Sequence, residues 1–186
     1  MPGNTPNLNL PYPLPTEPVA QGADAIKALA LSLDGLAPGA AHYFRVHKTA
    51  TQSIATGTLT AVTWDAELYD PDNGFTSANP TKYFFPRVGL WYVRSTIIWA
   101  AASAGDRGIS LHTSGGPYIS GAKIPFPATA GVQAIVGCEG IWKVNALGEW
   151  VEVMCYQNTT NPLNLVSSDG TLGINAEFSA FLIGLA

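Results

Sequence analysis

The sequence predicts an all-β domain, an antiparallel two-sheet sandwich, preceded by a proline-rich extended arm and one short α-helix. Three observations lead there. Prolines at positions 2, 6, 11, 13, 15 and 18 crowd the start of the chain, and a single stretch of helical periodicity follows them. From Tyr43 onward, apolar residues alternate in short runs broken by Gly, Pro, Asn and Asp about every 8–15 residues.

The 186 residues suit one domain of ordinary size plus an appendage. Hydrophobic residues make up 47% and charged residues only 12%, against about 25% charged in a typical soluble chain. Charged surface is therefore scarce, and much of the exterior is expected to lie under other subunits or partners. The net charge is −4 and the nine basic residues are scattered singly, so no positive stripe is available to neutralise phosphates and nucleic-acid binding is not expected. No apolar run approaches the roughly 20 residues that span a bilayer, so membrane insertion is not expected either. The N-terminus has neither the basic nor the apolar region of a secretory signal, and synthesis in a cytosol is expected. Asn158-Thr159-Thr160 is formally a glycosylation sequon, but without export it carries no such role.

The elements follow in chain order. Residues 1–17 form the arm, where proline favours extended backbone without internal hydrogen bonds. Leu8, Leu10, Tyr12 and Leu14 alternate along it with Pro13 between the last two, a pattern suited to docking in a groove of another protein. Residues 18–35 form the helix, with Thr16 able to cap it and Gly35 ending it. Its apolar seam, Ile26, Leu29 and Leu33, continuing to Leu36, needs a partner: sister helices, the domain, or another surface. Residues 36–42 are a hinge, and the domain proper spans 43–186.

Within that domain, strands are expected at 43–54, 58–68, 81–86, 89–101, 107–113, 117–124, 131–144, 149–157, 163–166 and 172–184. So many short strands imply a two-sheet sandwich or jelly roll. With Asn145 to Gly148 as a loop, a hairpin would set Trp142 opposite Val151 and Cys138 opposite Cys155, and would gather Val136, Cys138, Trp142, Val151, Val153 and Cys155 on one face. Cytosolic synthesis favours two buried thiols there, with a cross-strand disulfide as the alternative. The closing strand is apolar on one face through Ile174, Ala176, Phe178, Ala180 and Leu182, and again on the other at Phe181 and Ile183. A sandwich strand normally leaves one face polar, so Phe181 and Ile183 are expected under another copy of the chain.

Material for catalysis is thin. His42, His47 and His112 fall in no metal-type spacing, and the two cysteines lie far apart in sequence. Ser110 and His112 share a strand face but lack the strained turn that exposes a nucleophile. "SGGPYISG" has no lysine and no following helix for a phosphate cradle, and "DPDNG" supplies too few oxygens for calcium and reads as a turn. Tyr118, Phe126 and Tyr156 could stack on a sugar, although packing is the favoured role. No catalytic residue, cofactor or metal is expected.

Two resemblances add to this reading. The segments "KYFFPRVGLWYVRSTIIWA" (82–100), "GEWVEVMCYQNTTNPLNL" (148–165) and "FSAFLIG" (178–184) resemble, in order, the globular head of complement component q, within the tumour-necrosis-factor-like jelly-roll superfamily. Phe84, Pro86, Gly89 and Trp91 match that family's lead-in to its long core strand. The resemblance implies a complement-q/TNF-like jelly roll and a homotrimer, while the collagen-like stalk is missing. "TPNLNLPYPLPTEPVAQGADAIKALALSLD" is similar to the opening of small structural proteins of tailed bacteriophages, especially those of actinobacteria. It implies a non-enzymatic virion component made in the host cytoplasm, a capsid decoration, head fibre or minor tail protein, its arm held by other virion proteins. The alternative is an adhesin module that contacts a host cell-surface glycan.

Overall fold

The computed structural model describes residues 3–4, 11–12, 19–34, 42–102, 105–116, 118–126, 133–168, 170 and 173–185. The chain divides into two compact units, Met1–Ala41 and His42–Ala186.

In the first unit, β1 (Gly3–Asn4) pairs antiparallel with β2 (Pro11–Tyr12), Gly3 opposite Tyr12 and Asn4 opposite Pro11. Among the described residues the helix α1 runs Val19–Asp34. Ile26 is exposed and Leu29 half-buried. Leu8, Leu10, Pro13 and Leu14 lie outside the described residues, as does the side chain of Leu33; for Tyr12 only the backbone pairing is described.

The second unit is a sandwich of two antiparallel sheets. The larger contains β3 (Tyr43–His47), β4 (Gln52–Ile54), β6 (Ala66–Tyr69), β8 (Gly89–Trp99), β11 (Ala134–Val144), β13 (Leu163–Val166) and β14 (Glu177–Gly184), in the order β4-β13-β8-β14-β3-β6 with β11 also on β8. The smaller contains β5 (Thr60–Ala61), β7 (Lys82–Phe84), β9 (Gly105–Thr113), β10 (Tyr118–Phe126) and β12 (Trp150–Gln157), in the order β10-β9-β12-β5 with β7 also on β12. The expected jelly-roll class is the one observed.

Three strand expectations change. Residues 43–54 break into β3 and β4, because the Asp65 carboxylate takes the N–H groups of Thr49 and Ala50 and the Thr49 hydroxyl, turning the chain out of the ladder. Residues 58–68 change sheets: Val62 N donates to Val153 O (2.8 Å) and Trp64 N to Pro80 O (2.8 Å), so β5 and β6 belong to opposite layers. The last ladder starts at Glu177 rather than 172.

The largest correction concerns the 134–157 hairpin. β11 pairs along its whole length with β8, while β12 pairs with β9, β7 and β5, so Trp142–Val151 and Cys138–Cys155 are not cross-strand pairs. Val136, Cys138, Val151, Val153 and Cys155 are all buried, as expected, but on strands from opposite sheets. Alternation fixes which side of a strand is apolar but not whether its neighbour lies beside it or across the core. Glu149 shapes the crossing loop, its Oε1 accepting from the N–H groups of Asn145 and Ala146 (2.9 Å each) and its Oε2 from Trp142 Nε1 (3.2 Å). Both cysteines are free and buried, and burial pushes each thiol up to about 12.

Aromatic rings fill the core. Phe44 of β3 stacks on Tyr83 of β7 with centroids 3.7 Å apart, joining the two sheets, and Phe178 meets Phe44 edge-on at 4.8 Å. Trp64, Trp91 and Trp99 are fully buried, each burial stabilising by a few kcal/mol (~3 kcal/mol). Gly89 must be glycine: its φ is +152°, and a Cβ there would stand 2.5 Å from the carbonyl oxygen of Gly184. Lys48, almost wholly buried, donates to the Thr63 carbonyl at 2.7 Å, and burial lowers its pKa against the opposing pull of Asp65.

Candidate functional site

Strand alternation decides what the larger sheet presents outward. Along β8, Trp91, Val93, Ser95 and Ile97 are buried, which leaves Leu90, Tyr92, Arg94 and Thr96 on the outer face. Along β14, Phe178 and Ala180 are buried, leaving Ser179, Phe181 and Ile183 outside. The register then aligns Ile141 of β11, Tyr92 of β8, Phe181 of β14 and Tyr43 of β3 in one row across four strands. Tyr92 and Phe181 lie 5.1 Å apart, and Tyr43 meets Tyr69 of β6 edge-on at 5.0 Å. Ile141 is 62% exposed, Ile183 50% and Phe181 45%. Several large apolar side chains thus form one continuous band on the surface of a single chain, beyond the scattered exposure that needs no explanation.

The neighbouring rows carry charge, centred on Glu177 and two arginines. Glu177 Oε2 accepts from Arg45 Nε at 3.0 Å and again from Arg45 Nη2, while Arg94 Nη2 stands 3.7 Å from Glu177 Oε1. The bond to Glu177 raises the pKa of Arg45, so the guanidinium stays ionised. Tyr92 donates its hydroxyl to Glu139, which raises the phenol's pKa. A second copy pressed here would meet aromatic and aliphatic surface bordered by the Arg45–Glu177–Arg94 cluster and the Tyr92–Glu139 pair.

The predicted pair Phe181 and Ile183 therefore sits on an exposed apolar face, joined by residues the sequence reading did not select: Tyr43, Tyr69, Tyr92 and Ile141. The run "GLWYVR" held the signal for one of them, since a strand with Trp91 and Val93 inside must turn Tyr92 outward. Tyr43, Tyr69 and Ile141 depend on register across three further pairings, which no local pattern reports.

The outer face of the smaller sheet differs. Ser110 Oγ lies 2.9 Å from His112 Nε2, and the imidazole meets the Tyr118 ring edge-on at 4.2 Å; burial lowers the His112 pKa. Glu152 is the register partner of His112, and its Oε2 accepts from Thr81 Oγ1 at 3.5 Å. β9 is paired on both sides, by β10 and β12, so its backbone amide groups serve the ladders. Beside it lies a depression of about 260 Å³ whose lining includes Leu59, Gly108, Ser110, Gly121, Met154 and Tyr156. The "DPDNG" segment is a closed turn: Asp70 Oδ2 accepts from Phe75 N at 2.7 Å, His42 Nδ1 lies 2.8 Å from Asp72 Oδ2, and Asn73 takes φ +54°. Among the described residues, no three or more His, Cys, Asp or Glu side chains converge as a metal site would require.

This architecture defines a class, the complement-1q/TNF-like jelly roll. The globular domain of zebrafish complement 1qA protein is similar to it with a TM-score of 0.58, 14% identity, and coverage of 78% of this chain and 99% of that one. Murine APRIL, in a crystal structure at pH 5.0, is similar with a TM-score of 0.59 at 12% identity, covering 77% of this chain and 99% of that chain. The Eiger TNF of S. frugiperda gives 0.56 at 11% identity, covering 78% and 94%. No protein-family profile matches the chain, and no curated protein sequence matches it.

Proposed function

We propose that this chain is a non-enzymatic structural module that assembles as a homotrimer through the outer face of its larger sheet and is tethered to a bacteriophage particle by its N-terminal arm. The observation that carries the assembly is the Ile141–Tyr92–Phe181–Tyr43 row, an apolar band bordered by the Arg45–Glu177–Arg94 cluster. The number three comes from the complement-type resemblance of 82–100, 148–165 and 178–184. The virion setting comes from the similarity of the first 35 residues to the opening of phage structural proteins, with Leu8, Leu10, Tyr12, Pro13 and Leu14 as the arm's contacts and synthesis in the host cytoplasm. Capsid decoration, head fibre and minor tail protein are the matching positions.

Light scattering on purified protein tests the assembly, with an expected mass about three times 19.6 kDa. A monomer that persists at every concentration would sink it. Copy number per particle separates the positions, because decoration follows capsid symmetry with many trimers whereas a tail component contributes few.

A further inference from the structure

Asp70 follows β6 and opens the turn that leads toward β7, and this turn is tied to other parts of the sandwich at both ends. Gly74 O accepts from Phe84 N at 2.9 Å, and Phe75 forms an isolated antiparallel bridge with Tyr83, which fixes the far end on β7. Asp72 Oδ2 lies 2.8 Å from His42 Nδ1, and the His42 carbonyl accepts from Leu182 N of β14 at 2.9 Å. The turn therefore holds the first residue of the sandwich unit. Asp70 closes the turn itself: its Oδ2 accepts from Phe75 N at 2.7 Å and its carbonyl from Asn73 N at 3.2 Å.

The Asp70 side chain is ill placed to carry a negative charge. The residue is 7% exposed, and Oδ1, shielded from solvent, has no hydrogen-bond partner among the described residues. A carboxylate held this way gives up hydration that nothing replaces, whereas the neutral acid gives up far less. The groups that face it add to the cost. Glu67 of β6 and Asp72 of the turn are negative, and His42, the cationic candidate beside them, is engaged by Asp72. From β7, Tyr83 brings a buried hydroxyl that is also unpartnered among the described residues. Its ring reaches the turn because residue 74 is glycine, where a Cβ would stand 2.5 Å from Tyr83 Cε2. Burial raises the Tyr83 pKa, and the charges of Asp70 and Asp72 raise it further.

We propose that Asp70 is a proton-operated latch: its neutral carboxyl locks the 70–75 turn and, through Asp72, the attachment of His42, and its ionisation loosens both. Burial raises the Asp70 pKa, with Glu67 and Asp72 adding to it against the Phe75 N–H. A group whose folded pKa lies above its unfolded one takes up its proton more readily in the folded domain. The stability it gives is complete below its ordinary value of 3.8 and is lost as pH rises through the folded value. This is the reverse of ordinary acid denaturation, in which paired carboxylates lose their partners on protonation. The latch depends neither on the trimer nor on a virion setting.

Asp70→Asn mimics the neutral acid at every pH and keeps an oxygen for the Phe75 N–H. Denaturant titrations of the full chain and this variant, run from about pH 4 to about pH 8, isolate Asp70 from the other carboxylates. The variant is expected to have the higher midpoint at neutral pH, and the difference should close as the pH falls. Amide exchange at neutral pH should be slower in the variant at Asn73 and Phe75, which separates a tightened turn from a general gain. Carbon-13 NMR of the wild-type chain, with the Asp70 carboxyl assigned through its own backbone, should give a titration midpoint above 3.8. That measurement decides the matter alone if Asp70→Asn does not fold. A folded variant no more stable than wild type at neutral pH, a difference that ignores pH, unchanged exchange at Asn73 and Phe75, or a carboxyl midpoint at or below 3.8 would each overturn the latch.

Discussion

Phe181 offers the sharpest test of the assembly face. In a single chain it is 45% exposed, with the covered part of the ring against Tyr92. Fully burying a Phe side chain is worth about 1.5–3 kcal/mol, so covering the remaining half in an interface contributes ~1 kcal/mol per copy and ~3 kcal/mol per trimer. Since 1.4 kcal/mol is tenfold, Phe181→Ala should loosen the trimer about a hundredfold. Phe181→Asp goes further, because each copy would bring an unpaired carboxylate into a desolvated boundary at a cost of several kcal/mol (~3 kcal/mol or more). Within one chain either change loses only the Tyr92 contact, about 1 kcal/mol, so the fold should survive. Light scattering over a dilution series, with circular dichroism alongside, reads both effects. A Phe181→Asp protein that stays a soluble trimer on dilution would show that this side chain faces solvent in the assembly, and the interface would have to lie elsewhere.

Three other predictions follow from features in the sandwich and arm. Gly89→Ala should destabilise the domain by about 2–4 kcal/mol in a denaturant titration, because the added methyl meets the Gly184 carbonyl at a φ of +152°; an unchanged midpoint would contradict that close approach. Cys138 and Cys155 have folded pKa values raised from 9.0 to about 12, so the stability they hold is complete below pH 9 and is lost as pH rises toward 12. The double Cys→Ala variant should show a shallower alkaline loss, and wild-type melting should not respond to reductant; a large drop on reduction would reveal a disulfide. Deleting residues 1–17 should leave a trimer with unchanged β-rich circular dichroism that no longer enters particles, whereas normal occupancy on virions would place the attachment surface in the head.

Much of the fold could be read along the chain. The helix, the order of the long strands and the buried side of each were legible because they depend on local periodicity, proline and glycine placement, and turn chemistry. Sheet membership was not. Val136 and Val153 announce a shared apolar environment whether they are neighbours in one sheet or meet across the core, and only the pairing of β11 with β8 decides between the two. The run 58–68 likewise has one continuous pattern although its ends lie in different layers, because Val62 and Trp64 are buried between them. For the candidate face, Phe181 and Ile183 stood out as apolar residues on the wrong side of a strand. Tyr43 and Ile141 did not, since each looks ordinary until the ladder brings it level with them.

The loop from Asn145 to Gly148 joins strands that belong to different sheets, its start held on β8 and its far side on β7 and β9, with the Glu149 carboxylate tying the two ends. Its tip is open: Leu147 is 70% exposed, and nothing lies within 4 Å of where a Cβ on Gly148 would stand. The Glu149 carboxylate gathers the N–H groups at the loop's start, leaving the peptide bond between Ala146 and Leu147 outside both the ladders and that clasp. A guest peptide spliced at this bond would therefore extend the crossing without disturbing either layer, making this the domain's natural port for displaying foreign sequence, one copy on every head.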